Sequence, residues 1–351
     1  MTTTIAQPTD TELTDFLGQA VTDFGAAATV AMVLVGDQLG LYRALAEGGA
    51  QTPEELGART KTHPRLVREW LHNQAAAGYV AVEGPRFALT AASAFALSDP
   101  ESPVFLGGIA EVITAVFLGI DKVAEGFRTG KGVGWAEHDA CLFRGTERFF
   151  RPGYAAHLVQ EWLPALDGVV DKLTAGARVA DIGCGHGAST SLMAEAFPAS
   201  QFIGYDYHPA SIDAARKATT AANASFDVAA ATETPGSDYD LIATFDCLHD
   251  MGDPVAAARR IRQVIRPDGT WLLVEPFAGD TLQDNLNPVG RLFYGLSTAI
   301  CTSHGVSEGD DECLGAQAGL GRLTKVAQDA GFTRVRLAAQ TPFNLIVEVR
   351  P

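Results

Sequence analysis

From residue 178 to residue 350, short apolar runs alternate with segments of helical spacing. The runs fall at 178–183, 201–206, 224–229, 239–245, 270–275, about 332–338 and 343–350, and they predict buried strands. Strands buried on both faces, with helices between them, predict an α/β domain on a mainly parallel sheet. The last two runs are joined by a short turn and predict an antiparallel pair at its edge.

Upstream the pattern is mainly helical. Residues 10–47 carry two helical patterns, and the second, 27–45, is apolar on every side. Burial against a second copy of the chain is the expectation, so a homodimer should form through the segment before residue 50. Thr52-Pro53-Glu54-Glu55 is a capped helix start, and a second helix opens at Pro64. Short strands from Tyr79 and from Arg86 then predict a hairpin, which completes a winged-helix outline. An apolar helix is expected over 102–130, and another from His157 leads into the first strand. The boundary is expected near Leu166, giving domains 1–166 and 167–351.

The stretch around which the second domain is organised is Val179-Ala-Asp181-Ile-Gly183-Cys-Gly185-His-Gly187, followed by the run that ends in Asp206. Alternate glycines let the backbone approach a ligand, and the helix that follows aims its free N–H groups at the same place. Asp206, about twenty residues past the glycines, is placed to accept hydrogen bonds from ribose hydroxyls. Gly183, Gly185 and Ala188 also satisfy the G-x-G-x-x-A form used for NAD and FAD. Asp181 decides between them: an acid there can face an ammonium group but would repel a pyrophosphate, which favours the cation S-adenosylmethionine.

Val179–Gly187 with Asp206 resembles the motifs of class I S-adenosylmethionine-dependent methyltransferases, and the resemblance extends over roughly residues 175–351. The N-terminal outline resembles the dimerisation domain that precedes many small-molecule methyltransferases. The resemblance implies a Rossmann-like domain that binds S-adenosylmethionine through Asp181, Gly183, Gly185, Gly187, Asp206, Tyr207 and Phe245. The family often has an acid after the third strand for the adenine amine. Here 224–231 ends in alanines and Asp227 lies within the strand, which leaves adenine to backbone groups or to a residue that the sequence does not place.

The fourth strand ends in Phe245-Asp-Cys-Leu-His249-Asp250, and ligands of open α/β sheets bind beyond the carboxyl ends of strands. In related O-methyltransferases a histidine at the position of His249 is the general base, and an imidazole suits that role at neutral pH. A second reading uses His304, in an inserted segment expected to be a flexible loop. Two neutral histidines, His249 and His304, could bind a metal ion, iron or zinc, with positions open for a chelating substrate. That arrangement resembles the metal-dependent bacterial 2-oxo acid C-methyltransferases. It implies an anionic substrate whose carboxylate pairs with Arg144 or a neighbouring arginine and whose carbon-bound proton is removed with help from Asp250.

Composition narrows the alternatives. With 47% hydrophobic residues in 351, the chain can bury a substantial core, and a net charge of −16 disfavours nucleic acid. An S-adenosylmethionine-sensing winged-helix regulator is the reading of another class. Between residues 50 and 98, however, Arg59, Lys61, Arg65, Arg68 and Arg86 stand against Glu54, Glu55, Glu69 and Glu83, too little positive charge for a DNA-reading face. The first residues lack the basic and apolar regions of a signal peptide, and no uninterrupted apolar run approaches membrane-spanning length, so a cytoplasmic protein without membrane contact is expected. The five cysteines have no C-x-x-C spacing and are expected to be reduced thiols.

Overall fold

The seven apolar runs form one sheet. In the computed structural model, which describes residues 7–309 and 312–351, the strands are β1 (Arg178–Ile182), β2 (Gln201–Asp206), β3 (Ala224–Val228), β4 (Tyr239–Phe245), β5 (Ile265–Pro276), β6 (Arg334–Gln340) and β7 (Asn344–Arg350). Their spatial order is β3-β2-β1-β4-β5-β7-β6. β3, β2, β1, β4 and β5 are parallel, and β7 runs antiparallel to both β5 and β6, as the short final turn requires. The order reverses direction at β1, so the crevice beside the ends of β1 and β4 is the topological switch point.

Both faces of the sheet are covered. On one, Ala180, Ile182, Ile242, Trp271 and Leu273 pack with Ile261, Leu323 and Val326 from helices Pro254–Val264 and Gly319–Asp329. On the other, Val179, Leu241, Ala243 and Leu272 pack with Tyr154, Leu158, Trp162 and Leu163. The first three come from helix Ala140–His157 and the π-helical turn Leu158–Trp162 that continues it, and Leu163 follows that turn. This packing explains a difference in domain organisation. The chain divides into units 1–111 and 112–351, not near Leu166, because the helices before β1 are part of the sheet's own core.

In the first unit, helices Pro53–Thr60 and Pro64–Ala76 and the hairpin Val80–Glu83/Arg86–Leu89 follow in the expected order. They enclose a core of Leu41, Tyr42, Leu45, Leu56, Trp70 and Leu71. The expected helix over 27–45 is interrupted at Gly40, which adopts a left-handed conformation (φ +66°) between helices Asp10–Gln38 and Leu41–Gly48. Only Thr29, Val33 and Gly36 of the long helix are buried. The exposed apolar stripe therefore lies earlier than expected, at Leu13, Phe16, Leu17, Val21 and Phe24. By length and composition this helix could also cross a membrane, although Asp15 and Asp23 would each make insertion costly.

Two further expectations change. The single helix over 102–130 is two, Gly107–Leu118 and Ile120–Thr129, with Gly119 between them. The insertion is not a loop: helix Pro288–Leu296 runs through a π-helical turn, Ser297–Cys301, into helix Thr302–Ser307, so His304 stands on a helix. The N-terminal residues 1–6 and residues 310–311, which belong to segments interpreted from sequence, lie outside the described residues.

Candidate active site

The glycine turn follows from steric demands at each position. Gly183, Gly185 and Gly187 all have positive φ (+75°, +52° and +78°), where a Cβ is unfavourable. A Cβ on Gly183 would lie 2.6 Å from Cys247 Sγ, and one on Gly187 would lie 2.6 Å from Phe226 Cε1. Gly185 has nothing within 4 Å and opens into a cleft. Asp206 is fixed at the rim: Oδ2 accepts from Gly185 N–H at 2.9 Å and Oδ1 from His208 N–H at 2.8 Å. Each oxygen keeps a lone pair for a ribose hydroxyl.

Asp181 departs from its expected role. It is buried under the turn, where Oδ2 accepts from Ser189 Oγ and Thr190 Oγ1, both at 2.6 Å. Burial pushes its pKa up to about 6. It does not line the cleft but ties the first turn of helix Ala188–Ala196 to β1. Gly187 likewise serves packing. Gly183, Gly185, Asp206, Tyr207 and Phe245 do line the cleft, with Ala229, Ala230, Ala231 and Thr232 after β3. That alanine segment stands where an adenine acid was missing, and Asp227 is exposed and paired with Arg216 at 3.0 Å.

The cleft has about 1390 Å³ of empty space, its open mouth and adjoining solvent included. Its walls are aromatic: Trp135, Phe143, Phe150, Tyr154, Tyr207 and Phe245. Its charge is acidic. Glu147, Asp206, Asp250, Asp253 and Glu308 stand against one guanidinium, Arg151, which is 3.0 Å from Glu147. Such a lining favours a sulfonium cofactor over a pyrophosphate, which supports the earlier choice by a route other than Asp181. Of the arginines considered for a carboxylate, Arg151 is the one in the lining. Arg144 is exposed and absent from the lining, because it lies on the outer side of helix Ala140–His157.

His249 and Asp250 follow β4 on a short 3₁₀ turn. His249 is buried and does not line the cleft; its Nδ1 is 2.5 Å from Glu275 Oε2, and its Nε2 is 3.0 Å from Asp250 Oδ1. Burial opposes charging of the imidazole, but Asp250 and Glu275 outweigh it and hold the pKa well above the ordinary value. Asp250 lines the cleft, and so does His304. His304 is occupied elsewhere: Nδ1 accepts from Trp135 N–H at 3.3 Å, and Nε2 is 3.3 Å from the Tyr207 hydroxyl, whose ring stacks on it. These contacts engage both ring nitrogens of His304. Among the described residues, the metal-capable side chains that converge are His249, Asp250 and Cys301, their donor atoms within 4.8 Å of one another.

Three residues at the site were missed from sequence. Glu275 ends β5 and also accepts from Leu248 N–H at 2.9 Å. Asp246 has a left-handed backbone (φ +49°), accepts from Tyr154 Oη at 2.7 Å and from Asn344 Nδ2 at 2.8 Å, and is pushed up to about 8 by burial and then by Glu275. Cys301, in the π-helical turn, is pushed up to about 12 by burial. The first two were within reach of the rule that found His249, since both stand at carboxyl ends of neighbouring strands.

The sheet order, the glycine turn and Asp206 at the end of β2 define a class I methyltransferase fold. Residues 173–331 match the family model of a methyltransferase domain, so the chain carries such a domain over that segment. Among curated proteins it is similar to a trans-aconitate 2-methyltransferase of Paracidovorax citrulli, 32% identical over 105 residues, 30% of this chain and 40% of the relative. It is also similar to a ubiquinone biosynthesis O-methyltransferase of Xanthomonas campestris pv. campestris, 31% identical over 104 residues, 28% of this chain and 42% of the relative. The chain thus spans about two-fifths of the length of these relatives. Among solved structures, a mitomycin 7-O-methyltransferase superposes with a TM-score of 0.70 at 20% identity, over 97% of this chain and 100% of the other. Human N-acetylserotonin methyltransferase in complex with S-adenosylmethionine gives 0.68 at 16% identity, over 99% of each. At these identities the likeness concerns the fold.

Proposed function

We propose that this protein transfers the methyl group of S-adenosylmethionine to an oxygen of a small aromatic acceptor that carries no net negative charge. The observation that carries this reading is the cleft itself. A glycine turn and Asp206 suited to a nucleoside open onto aromatic walls whose carboxyl groups outnumber the lone, already paired arginine. The O-methyltransferase activity named for several similar proteins favours oxygen as the acceptor atom. Of the His249–Asp250–Glu275 unit, Asp250 is the member that reaches the cleft, and His249 beside it keeps it ionised against the effect of burial. The acceptor hydroxyl donates to Asp250, and its proton leaves toward that unit as the carbon–oxygen bond forms and S-adenosylhomocysteine departs.

Metal-assisted C-methylation of a 2-oxo acid is the weaker reading, because both ring nitrogens of His304 have other contacts and the arginine in the lining is paired with Glu147. We also infer a homodimer through helix Asp10–Gln38, whose exposed apolar stripe is the supporting observation. Incubation with methyl-labelled S-adenosylmethionine and a panel of phenols, aminophenols and 2-oxo acids, read by mass spectrometry, tests the main reading. Labelled methyl ethers are expected, and Asp250→Asn should lower kcat by about 10²–10⁴-fold. Carbon methylation of 2-oxo acids alone would overturn it.

A further inference from the structure

His249 Nε2 and Asp250 Oδ1 are 3.0 Å apart, and both belong to a buried cluster that a third polar side chain joins. Cys301 Sγ is the third donor within 4.8 Å. It is held there by the π-helical turn Ser297–Cys301, and such single turns are frequent at functional sites. On the far side of the ring, Nδ1 is engaged by Glu275 Oε2 at 2.5 Å, the carboxylate–histidine arrangement that orients an imidazole whose other nitrogen binds a metal.

The local charge supports the same conclusion. Asp250 and Glu275 flank one imidazole, which leaves this buried group with surplus negative charge even when His249 is protonated. We propose that His249 Nε2, Asp250 Oδ1 and Cys301 Sγ bind one divalent cation of the zinc type, with Glu275 as the positioning residue behind His249. Imidazole, carboxylate and thiol together suit such an ion, and three protein ligands leave a fourth position. Asp250 lines the cleft, so that position opens toward the acceptor. Binding displaces the Cys301 thiol proton and the His249 Nε2 proton to solvent. A bound cation would supply Lewis-acid polarisation of an acceptor oxygen. The set differs from two histidines, since Cys301 takes the place proposed for His304.

The site shares His249, Asp250 and Glu275 with the proposed catalytic unit, and it is tested without a methyl acceptor so that its failure is distinguishable from failure of methyl transfer. Apo protein is titrated with cobalt(II), and the near-ultraviolet thiolate-to-cobalt charge-transfer band is followed; S-adenosylmethionine binding is measured separately as a control for folding. The wild type should take up one cobalt per chain with that band. Cys301→Ser, close in size, should lose the band, and His249→Ala should lose binding. Glu275→Gln should weaken affinity about 10–100-fold. His304→Ala should leave the band unchanged. No stoichiometric uptake by wild type that binds S-adenosylmethionine, persistence of the band in Cys301→Ser, or its loss in His304→Ala would each overturn the proposal.

Discussion

At the scale of single residues, Asp246 carries the sharpest consequence. Its folded pKa of about 8 lies above the ~3.9 of a free aspartate. Between those values the folded chain holds a proton that the unfolded chain has released. Stability therefore falls as pH rises from about 4 to about 8, and this contribution is fully lost above the folded pKa. Asp246→Asn removes the titration, and asparagine tolerates the left-handed backbone. Relative to wild type, the variant should gain about 1–3 kcal/mol in denaturant unfolding between pH 5 and pH 8.5. A difference independent of pH would show that Asp246 is ionised throughout. Sequence placed Asp246 at a strand end but could not show that Tyr154 and Asn344, each more than ninety positions away, close over it. Arg144 failed for the complementary reason, since the face of a helix that meets the sheet depends on packing.

At the scale of elements, the glycine turn separates two kinds of requirement. Gly187 is surrounded by Phe226 and Ala215, so Gly187→Ala should damage the fold, at about 1–3 kcal/mol in thermal or denaturant unfolding. Gly185 has open space around it, so Gly185→Ala should cost about 1 kcal/mol in stability but a larger share of cofactor binding, because the added methyl enters the cleft. Equal losses of stability in the two variants would contradict this division. The turn and every strand were legible, because apolar runs punctuated by glycine and proline report buried β-structure locally. The 288–307 run was not: the inserted segment was expected to be a loop, whereas Pro288 opens a helix capped by Asn287. With that helix unrecognised, Cys301 had no reason to be placed beside His249.

At the scale of the whole molecule, charge and oligomeric state are the readable quantities. Leu13, Phe16, Leu17, Val21 and Phe24 lie three or four positions apart on one side of helix Asp10–Gln38, with Phe16 and Phe24 exposed to 66% and 75%. Light scattering should find a dimer, and the double variant Phe16→Asp/Phe24→Asp should be monomeric; a wild-type monomer at micromolar concentration would remove the dimer from the account. Sequence identified the apolar segment but assigned the partner-facing role to 27–45, part of which enters the core around Tyr42 and Trp70. The net charge of −16 was visible from the start, yet its meaning depended on the fold, which gathers carboxyl groups around one cleft. That arrangement is what the proposed acceptor without net negative charge rests on. The central claim is that this cleft is an S-adenosylmethionine site held by Asp206 at the glycine turn, and calorimetric titration tests it most directly. Wild-type protein should bind S-adenosylmethionine one to one and more tightly than NAD, and Asp206→Ala should weaken that binding by at least about tenfold through the loss of charge-assisted hydrogen bonds. Tighter binding of NAD, or an unchanged affinity in Asp206→Ala, would contradict it.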